Sequence, residues 1–111
     1  MKLIIDTAGK TFTITKAATE KREQGQNGRE GRQKTDRNTD ELLWVVQVMA
    51  LDETGGEVIN VTLAGNVMPK VNVGSAVAPV ELEAIPWATN GKNGTAYRAK
   101  SLNAQAAGKA S

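Results

Sequence analysis

The run Leu42-Leu43-Trp44-Val45-Val46-Gln47-Val48-Met49-Ala50-Leu51 constrains this chain most, because an apolar stretch interrupted only by Gln47 has to be covered by other parts of the protein. A buried helix would cover it. The three valines oppose that reading, and so does the turn-forming Asp52-Glu53-Thr54-Gly55-Gly56 that follows. Beyond the turn, residues 57–64 set Ile59, Val61 and Leu63 on one face, so the two runs read as a β-hairpin.

Similar patterning recurs on both sides. Residues 11–19 alternate Phe12 and Ile14 against Thr11, Thr13 and Thr15, a period of two in strand-favouring residues. Residues 77–87 alternate Val80, Leu82 and Ala84 against Glu81 and Glu83, an amphipathic strand with one wet face. A loop rich in Asn and Gly at 88–94 then leads into a last strand at 95–102. Pro69, Gly65 and Gly74 make residues 65–76 an irregular crossing with at most one helical turn. A further short strand at 3–5 is left open. The chain has 111 residues, which allows one core and one domain, spanning 1–103 with a disordered tail at 104–111. Five strands with these connections predict an all-β five-stranded Greek-key barrel, the OB fold. An SH3-like barrel or a small sandwich has the same strand count.

Residues 20–40 contain no aliphatic or aromatic side chain, three glycines (Gly25, Gly28, Gly31) and charges of both signs. Such a segment has nothing to bury, so residues 21–40 are expected to form a long flexible loop between strands one and two. Structureless loops of this length are uncommon inside a domain and often functional. The loop is either a solvated linker or a flap that closes over a ligand, with cations at Lys21, Arg22, Arg29, Arg32, Lys34 and Arg37.

Charge is distributed unevenly. Residues 1–40 carry nine Lys/Arg against six Asp/Glu, residues 41–87 carry one against six, and residues 88–111 carry four and no acid. Cations therefore flank an acidic middle, which implies a localised basic surface. With no histidine and no cysteine, the chain lacks the commonest general base and the common metal ligands. Neither catalysis nor a metal or cofactor is expected. The lack of disulfides makes the cytoplasm the expected compartment. The opening Met-Lys-Leu-Ile-Ile-Asp is far short of a signal peptide or membrane helix, so no membrane association is expected.

The closing half has a further likeness. Val71-Asn72-Val73-Gly74-Ser75-Ala76-Val77, Val80-Glu81-Leu82, Trp87, Gly91-Lys92-Asn93-Gly94 and residues 95–102 resemble the corresponding region of OB-fold single-stranded DNA-binding proteins, and the likeness extends over about residues 11–102. It implies non-specific binding of single-stranded DNA in replication, recombination or DNA transfer. It further implies a homodimer or higher homo-oligomer, with Trp87, Lys92, Tyr97, Arg98 and Lys100 near the loop between strands four and five. The chain lacks the acidic C-terminal tail of cellular members, so the resemblance is to phage or plasmid types. An interaction module of a phage or mobile element, binding protein with the same barrel, is the alternative.

Bases stack on aromatic faces while cations follow the phosphates. The chain has four aromatic residues. Parity groups Trp44 with Val46, Val48 and Ala50, which makes it a core residue if Gln47 faces solvent. Trp87 either stacks a base or caps the barrel. Parity sets Tyr97 on the face opposite Arg98 and Lys100, leaving the ring to the core or the groove. Phe12 belongs with Ile14 in the core. Arg98 and Lys100, two cations with no acid near in sequence, are candidate phosphate contacts together with Lys92.

Overall fold

A computed structural model describes residues 3–23 and 31–104. It is all-β among those residues: β1 (Leu3–Ile4), β2 (Thr11–Glu20), β3 (Leu43–Asp52), β4 (Gly55–Ala64), β5 (Ala76–Val80), β6 (Glu83–Thr89), β7 (Lys92–Arg98) and β8 (Ser101–Ala104). They form one curled, barrel-like sheet in the order β1-β6-β7-β4-β3-β2-β5-β8. Every pairing is antiparallel except β4 with β7.

The expected central hairpin forms as an unslipped ladder from Leu43↔Ala64 to Asp52↔Gly55. Its turn is shorter than expected. The Asp52 carboxylate accepts the Thr54 N–H at 2.8 Å and the Thr54 hydroxyl at 2.6 Å, which folds Glu53-Thr54 into the turn and lets β4 begin at Gly55. Strand parity then sends Trp44, Val46, Val48, Ile59, Val61 and Leu63 inward, where all six are buried. Phe12 and Ile14 of β2 join them, with Val77, Leu82 and Ala99 from the closing segments.

Two register shifts let β2 bend around this core. Ile14 faces Val48, Lys16 faces Gln47 and Thr19 faces Val45, so β2 carries two extra residues against β3. On its other edge, its first half pairs with β5 at Phe12↔Val77 and Thr13↔Ala76.

Eight strands stand where five are expected, and the difference lies mainly at the end of the chain. The expected strands 77–87 and 95–102 are each divided, by Glu81-Leu82 and by Ala99-Lys100. Glu81 adopts a left-handed backbone with φ 51°, and the Lys100 N–H bonds the Val80 carbonyl at 2.9 Å across the break. The register nevertheless continues unchanged from Val77↔Ala104 through Glu83↔Arg98 to Thr89↔Lys92. The four segments are thus two halves of one bent hairpin. Its tip is Asn90-Gly91, both residues with positive φ, the mirror-image turn that suits the twist of a hairpin. The expected loop at 88–94 therefore shrinks to two residues. The possible strand at 3–5 exists as the two-residue β1, paired with β6.

In its described parts, residues 21–23 and 31–40, the segment expected to be a structureless loop is tied to the barrel, while residues 24–30 lie outside the described residues. On its described ends Arg22 bridges Gln33 and Thr35 bridges Leu42. Backbone bonds run from Lys34 to Lys21 at 2.6 Å and from Leu43 to Lys34 at 2.9 Å. Residues 31–42 are a strap laid against the adjoining ends of β2 and β3. The last strand continues to Ala104, one residue past the expected domain end, and the rest of the expected tail lies outside the described residues.

Candidate functional site

β4 and β7 pair only at Val61↔Tyr97 and Thr62↔Arg98. Beside that short parallel contact opens a concavity of about 510 Å³, bounded by Val58 and Asn60 of β4, Thr95 and Tyr97 of β7, and Trp87 of β6, with Lys21 in its wall. The floor follows from parity. Since Val46, Val48, Ile59 and Val61 face inward, Val45 of β3 and Val58 and Asn60 of β4 face outward into it, and Gln47, the cross-strand partner of Asn60, faces outward beside them. Gln47 is further held by the Thr15 hydroxyl at 2.9 Å.

Trp87 is 47% exposed and lies across its cross-strand partner Gly94. A Cβ at Gly94 would stand 2.6 Å from Trp87 Cζ2, so only glycine lets the indole rest on the hairpin. The ring offers the concavity a supported aromatic face, and Val58, also half exposed, lines the same concavity.

A second concavity, of about 460 Å³, lies under the strap and shares Lys21 with the first. Lys34, Asp36 and Arg37 enter it from the strap and Arg98 from β7. A third, beside the β2 bulges, is lined by Lys16, Arg22, Gln47 and Asn60, and again by Lys21. Lys21 therefore stands where all three meet. Its ammonium donates to the Thr62 hydroxyl at 2.9 Å. Burial lowers its pKa below the ordinary lysine value, and the nearby positive charges of Lys34 and Arg98 lower it further.

Asp36 is buried, with 5% exposure. Its carboxylate accepts the Arg98 guanidinium and the backbone N–H groups of Asn38 and Thr39, at 2.7 and 3.3 Å. The Arg98 hydrogen bond, followed by that from Asn38, holds its pKa below the usual carboxylate value. This contact ties the strap to the barrel across 62 positions of sequence.

The sequence-predicted residues separate into groups. Lys21, Lys34, Arg37, Arg98, Trp87 and Tyr97 come together along the first two concavities. Tyr97 serves both of its readings, half-buried against the core while bordering the groove. Trp44 is a core residue, 6% exposed, whose indole N–H donates to the Gly65 carbonyl at 2.8 Å, so its ring has no free face for a base. Arg98 and Lys100 are not without acids. Arg98 pairs with Asp36 and Lys100 lies 3.8 Å from Glu81, contacts that sequence neighbourhood does not reveal. Arg22 reaches Glu20 and, at 3.0 Å, the Gly31 carbonyl. Lys92 is exposed beside the hairpin tip, and Arg32 is exposed on the strap. Arg29 lies outside the described residues.

Sequence reasoning missed Asp36, Thr62 and the Gln47–Asn60 pair. A local sign existed for Asp36, since Asp-Arg-Asn-Thr is an Asx-turn pattern. Its partner Arg98 left none. Among the described residues no group of three or more His, Cys, Asp or Glu is placed to hold a metal ion, and no helix is long and apolar enough to cross a membrane. Compared with protein-family models, curated proteins and solved structures, the chain matches none of them.

Proposed function

We propose that this protein binds single-stranded nucleic acid, single-stranded DNA first of all, without sequence preference and without catalysis. The carrying observation is the gathering of Lys21, Lys34 and Arg98 at the end of a groove walled by the exposed face of Trp87. A single strand needs both elements, cations for its phosphates and an aromatic face for a base. Val45, Val58 and the Gln47–Asn60 amides supply a floor that accepts any base by contact and hydrogen bonding.

We also read the curled sheet as an OB-type Greek-key barrel. With β5–β6 taken as one bent strand and β7–β8 as another, β2 pairs with β3, β3 with β4, β4 with β7, and β5 closes back on β2. That circuit has five members, and the groove then crosses its second and third strands as OB grooves do. Self-association is part of the proposal, favoured by the exposed apolar Leu3 and Ile4 on β1, an edge of the sheet. A role in replication, recombination or transfer of DNA, of phage or plasmid type, is the biological setting to which this reading belongs.

The test is a titration of oligo-dT into a Trp44→Phe variant, so that Trp87 alone reports, repeated at increasing salt. Quenching of Trp87 and a steep loss of affinity with salt are expected. No binding at low salt would overturn the reading.

A further inference from the structure

The cavity under the strap holds a charge arrangement that hydrogen bonding within the protein leaves unbalanced. Lys21 and Lys34 have no ion-pair partner among the described residues: of the two acids that line the cavity, Glu23 pairs with neither lysine, and the Asp36 carboxylate is already committed to Arg98 and two backbone N–H groups. The charges that bear on Lys21 come from Lys34 and Arg98, both cations, and its one neutral partner is the Thr62 hydroxyl. A half-buried ammonium beside two like charges is unfavourable until an anion joins them.

The three cations also converge from separate elements. Lys21 follows the end of β2, Lys34 is on the strap and Arg98 ends β7. Three cationic donors lining one cavity suit an oxyanion with several acceptor oxygens, and an arginine beside lysines is a common phosphate-binding combination. We propose that this cavity is a discrete subsite for one phosphate group, with Lys21, Lys34 and Arg98 as its donors and Asp36 as the positioning residue that assembles it. Asp36 acts at second hand: by holding Arg98 and turning the strap at Asn38 and Thr39, it keeps Lys34 opposite Lys21. The subsite deepens the single-strand reading by fixing where one backbone phosphate is anchored, although inorganic phosphate is expected to enter it unaided.

Inorganic phosphate is therefore the probe, titrated into the full chain against sodium chloride of matched ionic strength, with thermal melting and oligo-dT displacement as the two readouts. Phosphate is expected to raise the melting temperature and to displace oligo-dT at least several-fold more effectively than chloride. Lys21→Gln and Lys34→Ala should each remove most of the difference. Asp36→Asn gives the sharpest contrast. It adds one positive charge to the cavity, so simple electrostatics expects tighter phosphate binding, whereas a positioning role expects binding several-fold weaker, with Asp36→Glu partly restoring it. Should Asp36→Asn fail to fold, Lys34→Ala on the exposed strap still decides the matter. Phosphate acting no differently from chloride would overturn the subsite, and so would tighter phosphate binding by a folded Asp36→Asn protein. Phosphate stabilisation without oligo-dT binding would support the subsite while removing the single-strand reading. Oligo-dT binding without a specific phosphate effect would do the reverse.

Discussion

Lys21 and Trp87 divide the chemistry of the groove between them, one supplying charge and the other a surface. Base–aromatic stacking is worth about 1–3 kcal/mol per base, so Trp87→Ala should weaken oligo-dT binding by roughly 5- to 150-fold while leaving its salt dependence intact. Fluorescence anisotropy of a labelled oligonucleotide measures this without relying on the removed ring. Gly94 supports the same ring. A methyl group there meets the indole at 2.6 Å, so Gly94→Ala should lift Trp87 off the hairpin and red-shift its emission in a Trp44→Phe background. Lys21 has the opposite sensitivity. Its folded pKa is lowered from 10.5, so it loses its charge at a pH where an ordinary lysine keeps it. Oligo-dT affinity should therefore begin to fall on the alkaline side below pH 10.5, and Lys21→Arg, which stays charged, should flatten that fall.

Among the elements, the strap and the two hairpins differ in how their shapes are specified, and this decides how much of each could be read from sequence. The hairpins are local. Asp52 and Thr54 close one turn and Asn90-Gly91 the other, and the inward faces of β3 and β4 follow directly from apolar alternation. The strap is not local. Lacking apolar residues before Leu42, it reads as solvated chain, yet backbone bonds to Lys21 and Leu43 and the Asp36–Arg98 pair fix its described part to the barrel. Both breaks in the closing hairpin were likewise hidden, because alternation runs through Glu81 without marking its left-handed backbone. The same distinction explains the site. Its cations and Trp87 were visible as residue types, but their companions Asp36 and Thr62 depend on contacts between distant segments. Acid tests these contacts. Asp36 and Asp52 both titrate below the ordinary carboxylate value of 3.8 in the folded chain, Asp36 chiefly through Arg98 and Asp52 chiefly through Lys10. Their stabilising contribution is complete above that value and is lost as pH falls through the lower folded values. In urea melts followed across that range, Asp36→Asn should therefore show a shallower acid loss than the parent chain.

For the molecule as a whole, one interior serves every strand except β1 and β6, so a cavity in it should loosen most of the sheet. Ile14 is 1% exposed and touches the shared core, and Ile14→Ala should cost about 2–5 kcal/mol by denaturant unfolding, far more than any groove substitution. The proposed function, by contrast, is confined to one face. The irregular crossing that carries exposed Val67, Met68 and Val73 contributes nothing to the three concavities around Lys21. Backbone amide shifts recorded by NMR while oligo-dT is added at low salt compare these regions in one experiment. The groove account predicts the largest changes at Lys21, Lys34, Asn60, Trp87 and Tyr97, with residues 67–73 unmoved. Changes centred on 67–73, or none at all, would contradict it.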